Sequence, residues 1–259
     1  MQAKVSSSNH KHRSELITDS HGTPYYVLTH KVLPALLLLC CCWLVFYITS
    51  KGLANAYYFK ANYYLGLWQR KPQTLMLESW QQAADAIQTA VKYHPKHPHY
   101  LLTQAKINEW AWYGRFKTAD KIEVNDQLYK KAIQLRPGWP NAYADYAYYL
   151  GVINFRITEA FEELANAKQV GPYMPETFQR TLVVAATHWP LLNAVQKNQG
   201  FHAMEHMVTN SLTTYRQALQ ISQQHHLQRQ FCIYLKVKKA MLKPSTNKMI
   251  KRDFCTNPA

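Results

Sequence analysis

The apolar positions of this chain fall into one unbroken run followed by a series of short, periodic blocks. Residues 32–50, VLPALLLLCCCWLVFYITS, carry no charge over 19 positions and are bracketed by Lys31 and Lys51. A helix of that length rises about 28 Å, close to the roughly 30 Å hydrocarbon core of a bilayer. A single transmembrane helix is therefore expected. Pro34 falls in its first turn, where a missing N–H costs little. Trp43 and Tyr47 sit toward its C-terminal end, where an interfacial aromatic belt belongs. Residues 53–70 read as a membrane-proximal helix that ends at Lys71-Pro72, since the residue before a proline disfavours the helical conformation. Beyond that point helices are expected at 79–93, 98–113, 123–135, 140–154, 158–170, 175–188 and 201–226. Ser79 is the expected N-cap of the first. Pro98, Pro140 and Pro175 mark helix starts, and the prolines three residues before each end the preceding helix.

A pattern repeats through these blocks. Ala90–Pro95–Pro98–Leu101, Ala132–Pro137–Pro140–Tyr143 and Ala167–Pro172–Pro175–Phe178 share one spacing, and the turn prolines step by 42 and then 35 residues. Twelve residues before each turn proline stand Ala83, Asn125 and Ala160. Eight before stand Ile87, Tyr129 and Leu164; ten after stand Ala105, Ala147 and Leu182. Small residues at close crossings, and proline at the exit of a second helix, resemble the tetratricopeptide repeat, a 34-residue antiparallel helix pair. The resemblance covers about 79–190 and implies an all-α array of helix pairs. Asn125 departs from the alanine position. The 42-residue step implies an eight-residue insertion around 113–121, and Pro72 falls inside what would be the first helix of the first unit.

The expected organisation is a flexible cytoplasmic leader (1–31), the span (32–50), a membrane-proximal helix and linker (51–78), the repeat domain (79–190), C-terminal helices (191–243) and a basic tail (244–259). Lys and Arg number 30 against 15 Asp and Glu, a net charge of +15. Anionic partners follow from that balance. A basic tail near an anionic membrane gains about 1 kcal/mol per Lys or Arg. Eighteen tyrosines and seven tryptophans argue against disorder. Basic residues near the span do not choose an orientation, because Lys4, Lys11, Arg13 and Lys31 are matched by Lys51, Lys60, Arg70 and Lys71. The short leader and large C-terminal part favour a cytoplasmic N-terminus. A cleaved signal peptide fits less well, since no small-x-small site closely follows the run. The Cys40-Cys41-Cys42 run lacks the small preceding residues of a lipidation site. Cys232 and Cys255, the two cysteines outside the run, either pair in an oxidising compartment or are unrelated thiols.

Chemistry-bearing strings are few. His202-Ala203-Met204-Glu205-His206 spells HxxEH, which places two histidines on one helix face as a zinc pair with an adjacent glutamate. A third ligand is missing, since the acid after Glu205 is Asp253, and an ordinary amphipathic helix is the other reading. His94, His97 and His99 surround two turn prolines, and read either as a metal-capturing group or as exposed loop histidines. No phosphate loop, serine elbow or paired carboxylate is present, and no cofactor is expected. The aromatic set is richer. Tyr143 and Tyr146 occupy packing positions of the repeat, which leaves Trp112, Trp139, Tyr148 and Tyr149 as an exposed group. With Lys130, Lys131 and Arg136 nearby, they would suit a sugar chain, a peptide or a lipid headgroup on the concave face of a helical array.

The layout of short leader, single span and basic helical-repeat domain is similar to the VpsP-type proteins of bacterial exopolysaccharide biosynthesis loci. That resemblance implies a non-enzymatic, membrane-anchored scaffold or accessory protein of cell-surface polysaccharide biosynthesis or export. Its expected location is the inner membrane, single-pass, with a periplasmic C-terminal domain. Its expected partners are inner-membrane polysaccharide assembly proteins or the nascent polymer, and not nucleic acid. The alternatives are an assembly or division scaffold unrelated to polysaccharide and a membrane-bound zinc hydrolase using His202 and His206.

Overall fold

The computed structural model describes residues 32–118 and 123–256, and all regular structure among them is helical. The expected leader, 1–31, lies outside the described residues. Helix α1, Leu33–Arg70, runs for 38 residues without a break, so the apolar run and the helix expected after it are one element. By length and composition it is able to cross a membrane. The chain divides into a compact unit ending at Gly52 and another beginning at Leu53.

The second unit continues with α2 (Leu77–Tyr93), α3 (Pro98–Tyr113), α4 (Val124–Leu135), α5 (Pro140–Tyr148), α6 (Ile157–Val170) and α7 (Pro175–Thr187). It closes with α8 (Ala194–Asn210), α9 (Leu212–Gln224), α10 (Gln228–Val237) and α11 (Pro244–Phe254). Consecutive helices from α2 to α11 pack on one another, and α5 packs on α7 as α7 packs on α9.

The Ala–Pro–Pro spacing corresponds to one turn built three times. The helices before it end at His94, Arg136 and Gly171, whose backbone angles agree closely (φ −143, −146 and −149°; ψ 73, 74 and 74°). Each of these residues donates its N–H to the carbonyl of the repeated alanine: Ala90 at 3.0 Å, Ala132 at 3.1 Å and Ala167 at 3.0 Å. A proline then occupies the first helical position of α3, α5 and α7, where no N–H partner is needed. The third copy uses glycine because the chain is crowded there. A Cβ on Gly171 would come within 2.6 Å of Pro140 Cγ.

The other repeat positions are interior. Ala83, Ala90, Ala105, Tyr129, Ala132, Ala147, Ala160, Ala167 and Leu182 are fully buried, with Ile87 and Leu164 nearly so. Asn125, the departure from alanine, is also fully buried. Its amide donates to the Ala105 carbonyl at 2.9 Å and its oxygen accepts from Asn108 Nδ2 at 2.8 Å. The polar group thus brings its own partners, as a buried amide must.

Three elements differ from expectation. The helix expected over 201–226 is two, because Ser211 is extended (φ −155°, ψ 164°) and its hydroxyl accepts from Thr214 N–H at 3.1 Å. A serine side chain that caps a new helix competes with continuation of the old one. Helix α2 starts at Leu77, ahead of the expected cap; Ser79 instead accepts from Met76 N–H at 3.1 Å. Residues 244–254 form α11 rather than an aperiodic tail. Ile250 and Phe254 are buried, and Cys255 is disulfide-bonded to Cys232 with Cα atoms 5.4 Å apart.

Helix α5 ends in a wide turn, Tyr149–Ile153, of π geometry. Gly151 lies within it, and a Cβ there would stand 2.9 Å from Val184 Cγ1 and 3.1 Å from Ala160 Cβ. Neither neighbour is a flexible side-chain end. Gly151→Ala should therefore lower unfolding stability by about 1–3 kcal/mol, the usual range for overpacking, measured by urea denaturation. Cys232→Ser should cost about 3 kcal/mol by releasing the closed loop. A melting temperature unchanged by reductant in the wild type would contradict that second expectation.

Candidate functional site

Lys106, Glu109, Trp110 and Tyr113 follow one another at i, i+3, i+4 and i+7 on α3, and so share one face. This face, Tyr148 from α5, Ile153 from the wide turn, Arg180 from α7 and Gln69 from α1 line a pocket of about 230 Å³ that also includes Trp112. The repeat explains how the charged members meet. Asp145 and Arg180 both stand eight residues after a turn proline; Lys106 and Tyr148 both stand eleven after one. Stacked helices bring equivalent faces together, and these two positions, three residues apart, lie on one face.

The charges form a closed set. Asp145 has a side chain 8 % exposed and sits between two cations. Lys106 Nζ pairs with Oδ2; Arg180 donates from Nε at 3.1 Å and Nη2 at 2.9 Å to Oδ1. The Arg180 guanidinium also lies 4.5 Å from the centre of the Tyr148 ring. Burial alone would raise the Asp145 carboxyl; Lys106 and Arg180 outweigh it and hold the group below the usual carboxylate range.

Glu109 behaves oppositely. Its Oε1 accepts from the Tyr129 hydroxyl. Burial pushes its carboxyl up to about 7, against the lowering effect of the Tyr129 hydrogen bond and with help from the negative charge of Asp145. Glu109 thus exchanges a proton near neutral pH, while Asp145 stays ionised. Burial also raises the Tyr148 hydroxyl. None of the lining residues is a serine, cysteine or histidine. The pocket offers two cationic donors, one carboxyl that is neutral or charged according to pH, and aromatic faces, a set suited to holding a ligand.

The residues expected to form one binding group separate into several places. Trp112 and Tyr148 line the pocket. Tyr149, expected to be exposed, is fully buried in the core against Tyr129, ring centres 5.7 Å apart. It stands three residues after Tyr146 and seven after Ala142, and so shares their buried helical face. Trp139 packs on His99 at 4.1 Å between ring centres, with Arg136 5.1 Å over its own ring. Lys130 pairs with Asp126 at 2.6 Å, and Lys131 is exposed on the same helix. Trp139, Arg136, Lys130 and Lys131 do not line the pocket.

The HxxEH string is used in packing. The Glu205 carboxylate accepts from Tyr234 Oη at 2.6 Å, with Lys238 Nζ 3.7 Å and His202 Nδ1 4.0 Å away. His206 stacks on Phe178 with ring centres 3.6 Å apart, and burial lowers its pKa. Among the described residues, no group of three His, Cys, Asp or Glu side chains is placed to hold a metal ion. Comparison with known proteins finds no family model that matches the chain and no curated protein that matches it.

Glu109 makes folding stability depend on pH. Its carboxyl is raised above the unfolded value, so the folded state binds more protons between about pH 4.5 and 7 and stability falls as pH rises through that window. Glu109→Gln keeps the acceptor for Tyr129 and removes the titration. The variant should be more stable than wild type at pH 8, by on the order of 2 kcal/mol after allowance for the open side of the pocket. Parallel urea melts at pH 5 and pH 8 check this; a wild-type stability that does not fall between them contradicts it.

Proposed function

We propose that this protein is a non-enzymatic, membrane-anchored accessory factor of bacterial cell-surface polysaccharide biosynthesis or export, with a tetratricopeptide-like array on a single transmembrane helix. The observation that carries the proposal is the pocket. A polyhydroxylated ring has an apolar C–H face and a polar edge, and Trp110, Trp112, Tyr113 and Tyr148 beside Lys106, Glu109 and Arg180 offer a counterpart to both. The thrice-built proline turn, and the packing of α5 on α7 and α7 on α9, support a repeat array whose neighbours stack in register.

The 38-residue α1, uncharged from Leu33 to Ser50, supports the anchor. The Cys232–Cys255 bond supports an oxidising compartment, and hence a periplasmic C-terminal domain with the N-terminus in the cytoplasm. In this reading the array holds the growing polymer, or a polymerase or export subunit, close to the inner membrane. The zinc-hydrolase alternative loses support because Glu205 is engaged by Tyr234 and Lys238.

Deletion of the gene should reduce the amount or the chain length of surface polysaccharide several-fold, read by gel filtration and sugar analysis of the surface fraction. Unchanged amount and length would overturn the proposal. A topology reporter fused after residue 80 should be active only in its periplasmic form. A cytoplasmic signal would refute the orientation.

A further inference from the structure

We propose that the pocket between α3, α5 and α7 is a subsite for a carboxylate-bearing sugar ring, a uronic acid, with Arg180 and Lys106 holding the carboxylate and the aromatic side chains holding the ring. This inference rests on the polysaccharide reading above and specifies its ligand.

Size comes first. About 230 Å³ lies below the roughly 300–1,000 Å³ of clefts that hold drug-sized ligands, so the pocket fits one small ring rather than a nucleotide or an extended peptide. Charge comes second. Two cations, Lys106 and Arg180, face one ionised carboxylate, Asp145, which leaves one positive charge uncompensated while Glu109 holds its proton. Arg180 spends Nε and Nη2 on Asp145 and retains Nη1 for a ligand. A guanidinium is the side chain best shaped for a carboxylate. Aromatic character comes third. Free phosphate or acetate would use the cations alone, whereas a sugar ring would also use the aromatic faces of Trp110, Trp112 and Tyr113 that line the pocket.

Glu109 makes the site respond to pH. The groups that face it are Tyr129 from α4, Asp145 and Tyr148 from α5, Arg180 from α7, and Lys106 and Tyr113 from its own helix. With Glu109 protonated, the site carries one net positive charge and offers a hydroxyl donor to the ligand. With Glu109 ionised, the net charge is zero and two carboxylates would meet, which disfavours the ligand. Uronate binding is therefore tighter below neutral pH.

The experiment uses the full-length protein in detergent and follows tryptophan fluorescence on titration with glucuronate, glucose, acetate and a short oligouronide. Glucuronate should bind at least tenfold more tightly than glucose or acetate. Its affinity should fall about tenfold from pH 6 to pH 8, as expected for a ligand that requires a proton on a group of pKa near 7. Glu109→Gln should abolish that fall and bind glucuronate at pH 8 as the wild type does at pH 6. Arg180→Gln should lose tenfold or more; if that variant loses its helical circular dichroism, Lys106→Gln is the substitute, because Arg180 still holds Asp145. Tighter binding of the oligouronide than of glucuronate places polymer in the site, and equal binding places a free sugar there; both outcomes support the proposal. Glucose or acetate matching glucuronate, a pH dependence that survives Glu109→Gln, or no binding of any probe would overturn it. Loss of this subsite while gene deletion still lowers surface polysaccharide would leave the broader function standing.

Discussion

Asp145 is the point on which the helical stack turns. Its carboxylate is enclosed, and it draws Lys106 of α3 and Arg180 of α7 onto α5. Removing one partner of such a set strands a charge in the interior at a cost of about 3–5 kcal/mol. The same set could have been replaced by apolar side chains at little loss of stability, since buried ion pairs rarely outperform good packing. Stability is therefore a weak reason for charge at this junction. A better reason is that the junction forms one wall of a pocket, where the unspent valence of the two cations faces outward.

The wide turn at Tyr149–Ile153 shapes the opposite side of that wall. The turn places Ile153 in the pocket lining, while Tyr149 at its start is buried in the core. The geometry of the turn is fixed from outside: His188 Nε2 meets the Gly151 carbonyl at 2.7 Å, and Val184 and Ala160 close over the glycine. The pocket wall and the start of the C-terminal helices are thus connected through α7 and the residue that follows it.

What the sequence reveals depends on whether a property is local. The proline starts of α3, α5 and α7 are legible because proline acts on its own backbone. The alanines are legible because three copies repeat them. The break at Ser211 is not, because a lone serine inside a periodic run is equally compatible with an exposed helix position. Residues after Pro244 read as a tail because their apolar members are sparse, yet Ile250 and Phe254 suffice to bury one face once Cys255 is fixed. Aromatic clustering along the chain picks out Trp112 and Tyr148 and misplaces Tyr149, although Tyr149 stands three residues after the packing position Tyr146 and so on its face. Lys106, Glu109, Asp145 and Arg180 are scattered over 75 residues of chain. Lys106, Asp145 and Arg180 share a repeat register, eleven or eight positions past a turn proline, and Glu109 stands three residues beyond Lys106; that register is the signal that would have joined them.

The disulfide has a meaning for the end of the stack. A helical array that buries each layer against the next leaves its final layer with an apolar face and nothing to cover it, and such arrays need a terminal layer with a polar outer side. Helix α11 fits that description, with Ile250 and Phe254 turned in and Lys248, Lys251 and Arg252 turned out. It has only a few apolar side chains with which to hold its place, and the covalent bond to Cys232 supplies what packing lacks. Without that bond, Ile250 and Phe254 are the buried side chains left to hold α11 in place.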